Sequence, residues 1–393
     1  MSSQQRKELG ILYDLSEFVS NPVRSGIQRV AFEICSRWSG LLTLIPMRID
    51  ERGRPRILPS DFIQLMIDFF RSGRNAERQN RDKIFSASGR AGEPLSPEEI
   101  FSYACVFNAE LFYSMPRIKF YQWMLSHRRL PVFFVIYDFL PWLYPDEFPD
   151  GAITGTMPYL KLIRELELVS FISDSTRRDY LRRILRNDKQ VGPVLRLGSD
   201  GLGVGEPLFS SRHKNFTVLG TLEPRKNHLL VVDAFQILWE KGVDVELTFV
   251  GRLGWMAGDD QDRIRQLEQE QPRFKWFKEL RDDGVREVIR NSRATIYPST
   301  VEGFGLPPLE SLALGVPVIV TELLPSIEMI ESYGQIRLSS VTPKSICDAV
   351  QIMLDHDQAR AKYEEIRNLR LPKWTDLASD AETWIQSHIT SQS

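Results

Sequence analysis

Two carboxylates, Glu302 and Glu310, stand with seven residues between them in YPSTVEGFGLPPLESLALGVPVI, Tyr297 to Ile319. The stretch reads as a strand, a tight loop, a helix and a second strand. The Gly303-Phe304-Gly305 loop can bring bare backbone close to a ligand, because glycine accepts positive φ and near contact. Pro307 and Pro308 suit a first helical turn, where their missing N–H groups have no intrahelical partner to lose. A helix N-terminus behind a glycine-rich loop favours anions, phosphate above all. Glu302 falls in the loop and Glu310 in the first turns of the helix, so both can face one ligand.

A second group lies upstream. GTLEPRKN sets Arg225 and Lys226 directly after a strand and a proline turn. Arginine offers a fixed fork and lysine a compact point charge, and together they suit a diphosphate and its departure without a metal. Adjacent basic residues are usually only solvated; the position at a strand's end is what singles these out. Tyr137-Asp138 closes the continuous apolar run of VFFVIYDFLP, the pattern of a strand buried on both faces. Ligands of open parallel sheets bind beyond the carboxyl ends of strands, which places this pair well; the plainer reading is that Asp138 caps the turn before Pro141. Gly26 sits where a loop enters the helix beginning near Ile27, and taken alone it reads as a packing residue. Asp260-Gln261-Asp262 has a spacing used by metal-dependent sugar transferases, but GDDQDRIRQ reads better as the acidic start of an exposed helix. No metal site and no cofactor are expected. Gly201, Gly203 and Gly205 lack the strand-to-helix crossover of a dinucleotide loop.

These residues need a scaffold, and its outline is legible. Strand and helix patterns alternate over both halves of the 393 residues, which predicts an α/β protein of two Rossmann-like parallel-sheet domains facing a cleft. The turn-rich segment from Gly198 marks the linker. The expected division is 1–205, 206–372, and a C-terminal helix over 373–393 packing back on the first domain. Residues 51–100 are the least legible: Asp61–Phe70 is apolar at mixed spacing, and Arg71, Arg74, Arg78, Arg81 and Lys83 stand against Glu77 and Asp82. An ordinary solvated helix is the plainer reading there, and membrane or acceptor contact the alternative. A formal net charge of −2 argues against nucleic acid, whose binders show a strongly basic face. Three widely spaced cysteines, Cys35, Cys105 and Cys347, predict buried free thiols in a reducing compartment. The N-terminus MSSQQRKELG lacks a secretory apolar core, and no apolar run is long enough to span a bilayer. A cytoplasmic protein, in possible contact with the inner face of the membrane, is expected.

In combination, EGFGLPPLE, GTLEPRKN, PSTVEGFG and ALGVPVI resemble the retaining glycosyltransferases often called group one, of the GT-B fold, and among them bacterial mannosyltransferases of surface polysaccharide synthesis. RSGIQRV, IYDFLPWLYPDEFP and ISDSTRRDYLR are similar to that family's acceptor-side domain, and the Trp374 segment to its closing helix. The resemblance implies that Arg225 and Lys226 hold the donor diphosphate. It implies that Glu302, with the backbone of Gly303, Phe304, Gly305 and Leu306, holds the transferred sugar, while Glu310 binds the ribose and Gly26 approaches the phosphates. Many relatives have His-Asp where this chain has Tyr137-Asp138 on the acceptor side, and some have an arginine where it has Thr221. The implied function is transfer of a sugar from a nucleotide diphosphate, GDP-mannose favoured, to a glycan or lipid-linked acceptor. The sugar nucleotide is then a substrate and not a cofactor. Nucleotide-sugar epimerases share the two-domain architecture but are not expected to show EGFGLPPLE with EPRKN; an inactive binding or scaffold protein is a third class, motivated by Tyr137, and the intact Arg225, Lys226, Glu302 and Glu310 speak against it.

Overall fold

The computed structural model describes residues 10–72, 74–186 and 191–391. MSSQQRKEL, Gly73 and the side chains of Arg74 and Glu77 lie outside the described residues.

The described chain forms two compact units. The first runs up to Leu143, resumes over Asp150–Gly198 and ends with Lys373–Ser393; the second comprises Tyr144–Pro149 and Ser199–Pro372. The break at Gly198–Ser199 precedes the expected 205–206, and hydrogen bonds explain why. Arg196 is held by Asp380 of the first unit at 2.7 Å, whereas Ser199 N–H already donates to Pro372 O and Gly205 N–H to Ala313 O, both in the second.

In the first unit, β1 (Ile11–Asp14), β2 (Leu44–Ile49), β3 (Pro55–Ile57), β4 (Cys105–Asn108), β5 (Val132–Ile136) and β6 (Leu168–Phe171) form one sheet in the order β3-β2-β1-β4-β5-β6. All neighbours are parallel except β3, which runs antiparallel to β2. The sequence reading did not anticipate β3: three residues led by a proline suit only a sheet edge, and Asp50 makes the turn by accepting the N–H groups of Arg52 and Arg54. The apolar segment read at mixed spacing is a helix, Phe62–Arg71, and the basic one is a helix, Arg74–Gly89. All five residues of β5 are buried, as its unbroken apolar run requires. Part of that cover is the helix Trp374–Ser391, whose Trp384 meets the Phe133 ring edge-on at 4.9 Å.

In the second unit, β7 (Asn215–Leu219), β8 (Glu246–Val250), β9 (Phe274–Phe277), β10 (Ala294–Tyr297), β11 (Val318–Thr321) and β12 (Gln335–Leu338) are all parallel, in the order β12-β11-β10-β7-β8-β9. Its core is built from alternate faces of these strands and the helices His228–Glu240 and Pro343–Leu354. Cys35, Cys105 and Cys347 are buried and free. Among the described residues no helix is long and apolar enough to cross a membrane.

Candidate active site

The second sheet reverses its order between β7 and β10: the chain steps outward through β8 and β9, then returns to the other side of β7. The carboxyl ends of strands at such a reversal are the usual ligand position of open parallel sheets. GTLEPRKN follows β7 and PSTVEGFG follows β10, so two motifs far apart in sequence meet at one place.

Backbone bonds join the two loops. Thr300 N–H donates to Arg225 O at 3.1 Å, and Asn227 Nδ2 donates to Pro298 O at 2.9 Å. Asn227 holds a left-handed conformation, φ 54°, at the entry to the helix His228–Glu240. Asparagine is among the few residues with a Cβ that visit that region routinely. Gly220 has φ +129°, and a Cβ there would stand 3.1 Å from Lys226 Nζ. A side chain would displace the ammonium. Gly305 has φ +91°, and a Cβ there would meet Ser326 Oγ at 3.2 Å; the helix Leu306–Ala313 begins immediately after it.

Glu302 lies at the centre of this arrangement. Its Oε1 accepts from Tyr297 Oη at 2.8 Å and Ser299 Oγ at 2.8 Å, and pairs with Arg225 Nη1 at 2.7 Å. Oε2 carries none of these bonds. Burial alone would push the carboxyl up; Arg225, then Lys226 and the hydrogen bonds from Arg225 and Tyr297, outweigh it and hold Glu302 below the usual carboxylate range. A carboxylate so held is a fixed anion and hydrogen-bond acceptor.

Arg225 is tightly committed. Besides Glu302, its Nη1 donates to Val301 O at 2.8 Å, and its Nη2 lies 2.7 Å from Glu223 Oε2. The fork anticipated for a phosphate is therefore turned on two protein carboxylates and a carbonyl. Lys226 is different: its nearest carboxylate among the described residues is that of Glu223, 4.0 Å away. Burial pulls the Lys226 ammonium below its ordinary value, Glu302 and Glu223 oppose that, and Arg225 adds to it. A cation nearly enclosed but with no close counter-ion is the stronger candidate for direct phosphate contact. Gly303, Phe304 and Gly305 of the loop are buried, Leu306 is half-buried at the first position of the helix, and Glu310 is half-buried one turn further on.

Gly26, Tyr137 and Asp138 belong to the first unit and are placed by its own elements. Gly26 is exposed and opens the helix Gly26–Arg37, capped by Ser25, whose Oγ accepts from Gln28 N–H. Tyr137 departs from expectation. It is 3% exposed, and its hydroxyl donates to Ala109 O at 2.6 Å. The residue just beyond β5 is thus enclosed, and its hydroxyl ties the end of β5 to the residue following β4. Asp138 accepts Leu140 N–H at 3.2 Å, the turn-capping role of the plainer reading. Asp260 and Asp262 lie in the first turns of the helix Gly258–Glu270, and Asp262 pairs with Arg265 at 2.9 Å. Among the described residues, no three His, Cys, Asp or Glu side chains form a group able to hold a metal ion.

Sequence reasoning missed three residues here: Tyr297, Ser299 and Glu223. All three lie inside the quoted motifs, but only contact with Glu302, or for Glu223 with Arg225, marks them. A further buried network was not legible at all. At the reversal point of the first sheet, Arg117 Nη2 pairs with Asp14 Oδ2 at 2.8 Å and Glu110 Oε2 at 3.0 Å, and Tyr121 donates to Asp14 at 2.7 Å. Glu110 also accepts the N–H groups of Glu17 and Phe18, which pins the loop after β1. Burial, opposed by Arg117 and reinforced by Asp14, pushes the Glu110 carboxyl up to about 8.

Known proteins resemble this chain in sequence and in fold. Residues 206–368 match the family model of Glycosyl transferases group 1. A serotype-specific mannosyltransferase, WbdA of Escherichia coli, is 32% identical over 254 residues, covering 59% of this chain and 31% of the relative. An O-antigen chain mannosyltransferase B of Escherichia coli is 33% identical over 120 residues, 30% of each chain. The chain thus spans about a third of the length of these curated relatives. Among solved structures, a sucrose-phosphate synthase of Thermosynechococcus elongatus superposes with a TM-score of 0.64 at 14% identity, covering 98% of this chain and 100% of that one. Anabaena HepE in complex with UDP-glucose gives 0.60 at 13%, covering 98% and 99%. The architecture is therefore the two-domain α/β fold of GT-B glycosyltransferases. Residues 206–368 thus resemble the group 1 glycosyltransferases, and the chain is similar to mannosyltransferases over part of their length.

Proposed function

We propose that this protein is a retaining glycosyltransferase of surface polysaccharide synthesis. It moves a sugar from a nucleotide-diphosphate donor, GDP-mannose favoured, to a glycan or lipid-linked acceptor. The observation that carries this reading is the gathering of Glu302, Arg225 and Lys226 beyond the carboxyl ends of the neighbouring strands β7 and β10, with one oxygen of Glu302 held by Tyr297, Ser299 and Arg225. The mannosyltransferase relatives support the choice of sugar.

Lys226 holds the diphosphate and neutralises charge on the leaving group, the largest contribution a protein makes to such a step. Arg225 adds positive potential and fixes Glu302. The Oε2 atom of Glu302 and the backbone of Gly303, Phe304, Gly305 and Leu306 hold the transferred sugar, and Glu310 the ribose. The acceptor oxygen attacks the anomeric carbon on the face from which the diphosphate departs. The bond to the phosphate oxygen breaks with its electron pair on that oxygen, which takes up the acceptor's proton, so configuration is retained and no protein nucleophile is used. Glu302, held as a paired anion, positions instead of attacking. Gly26 approaches the phosphates, and Asp138 serves the acceptor side. No metal enters the reaction. Contact with the inner face of the membrane belongs to the same proposal, supported by the exposed Arg78, Lys83 and Phe85 of the helix Arg74–Gly89.

A donor panel tests the reading: GDP-mannose, UDP-linked sugars and dTDP-rhamnose, each with and without cell-derived acceptor lipid, followed by release of free nucleotide diphosphate. Acceptor-dependent release from GDP-mannose is expected, with an α-linked product. Sugar interconversion without release, or a requirement for Mn²⁺ after chelation, would overturn it.

A further inference from the structure

Glu223 lies inside GTLEPRKN, beside both cations of the site. It is 6% exposed, too deeply enclosed for an unpaired charge to be tolerated. Its Oε2 faces both cations of the site, at 2.7 Å from Arg225 Nη2 and 4.0 Å from Lys226 Nζ, yet that oxygen makes no aligned hydrogen bond among the described residues. Its hold on the site is therefore through charge and proximity. Arg225 in turn lies between two carboxylates, with Nη1 at 2.7 Å from Glu302 Oε1.

Resting on the nucleotide-sugar reading above, we propose that Glu223 is a positioning residue: its carboxylate holds Arg225 in the orientation that fixes Glu302, and balances the site's charge before the donor arrives. Two anions, Glu223 and Glu302, face two cations, Arg225 and Lys226. These four charges cancel before the donor arrives, and a diphosphate then adds negative charge. A site lacking the Glu223 charge would hold the diphosphate more tightly, release it more slowly and leave Arg225 free to turn away from Glu302. Glu223 thus trades product affinity for turnover.

The same arrangement affects the alkaline range. Lys226 is faced by Glu223 and Arg225 of its own turn, by His228 at the start of the following helix, and by Glu302, with Tyr297 behind it, from the β10 side. His228 is neutral there, since burial and then Lys226 push its ring down to about 3. Burial already lowers the Lys226 ammonium and Glu223 opposes the shift. Losing the Glu223 charge lowers it further, so a reaction that needs charged Lys226 must fail at a lower pH.

The test compares wild type, Glu223→Gln and Glu223→Asp by titration with GDP and by GDP release from GDP-mannose across pH 6 to 10. Glu223→Gln keeps the shape and removes the charge. Below its alkaline limb it should bind GDP about tenfold more tightly, while kcat falls about 100-fold as Glu302 loses its support. Its alkaline limb should move to lower pH. Glu223→Asp, with the charge kept, should restore GDP affinity and the position of the limb. A merely structural glutamate would instead weaken GDP binding and lower kcat together, equally in both variants and in step with a lower melting temperature. That result overturns the proposal, as do unchanged binding and limb in Glu223→Gln. If wild type binds none of GDP, UDP and dTDP, the nucleotide-sugar reading itself fails and Glu223 with it. If Lys226→Ala abolishes GDP binding while Glu223→Gln behaves as wild type, only the Glu223 proposal fails.

Discussion

Arg225 and Glu302 meet at 2.7 Å across the point where the second sheet reverses, and each is also held from its other side. Glu302 is bound by Tyr297 and Ser299, Arg225 by Glu223 and Val301. The pair has little freedom to open for a ligand, so it serves as a fixed wall of the site. Arg225→Ala should then remove more than a phosphate contact, since it leaves two enclosed carboxylates uncompensated. Breaking such a pair from one side costs about 3–5 kcal/mol. The loss should appear as faster hydrogen exchange in β7 and β10, with turnover abolished. Unaltered exchange would mean that the pair contributes nothing to the fold.

Lys226→Ala separates binding from folding. The ammonium is enclosed and has no carboxylate closer than 4.0 Å among the described residues, so its removal costs the fold little. Turnover should fall by about 10²–10³-fold, the usual effect of losing one group that stabilises leaving-group charge, with the melting temperature unchanged. Nucleotide release at the wild-type rate would refute the diphosphate assignment.

The Glu302 carboxyl titrates below the ordinary range: burial would raise it, but Arg225 and then Lys226 more than offset this. A carboxylate lowered in the folded state binds fewer protons there than when unfolded. Its contribution to stability is therefore complete above the unfolded value of about 4.3 and is lost as pH falls through the lower folded value. Acid unfolding of wild type and Glu302→Gln should show a steeper decline below about pH 4.3 in wild type. Superimposable acid limbs would show that the Arg225 pair does not form in solution.

Tyr137→Phe discriminates between the two roles of that residue. Loss of the bond to Ala109 O should cost about 0.5–1.5 kcal/mol, seen as a lower denaturant midpoint, while kcat and the donor KM remain as in wild type. A selective rise in KM for the sugar nucleotide without loss of stability would return Tyr137 to the sugar site.

Much of this protein was legible in its sequence, and for a local reason. Period-two and unbroken apolar runs encode strands, as in VFFVI and ATIY, and glycine and proline mark the loops between them. Glu302, Gly303, Gly305, Arg225 and Lys226 lie in such loops, where residue type and backbone requirement coincide within a few positions. Tertiary structure decided what depends on neighbours distant in the chain. Only the adjacency of β7 and β10 sets Glu302 beside Arg225 and gives Glu223, Tyr297 and Ser299 their partners. Only the closeness of Ala109 gives the Tyr137 hydroxyl its partner. Asp14 and Arg117 meet 103 residues apart, and Tyr144–Pro149 joins the second unit through Trp255, which donates to Glu147 O and stacks on Phe148. A charge or hydroxyl in a sequence shows what it can bind, whereas packing determines whether protein or ligand reaches it first.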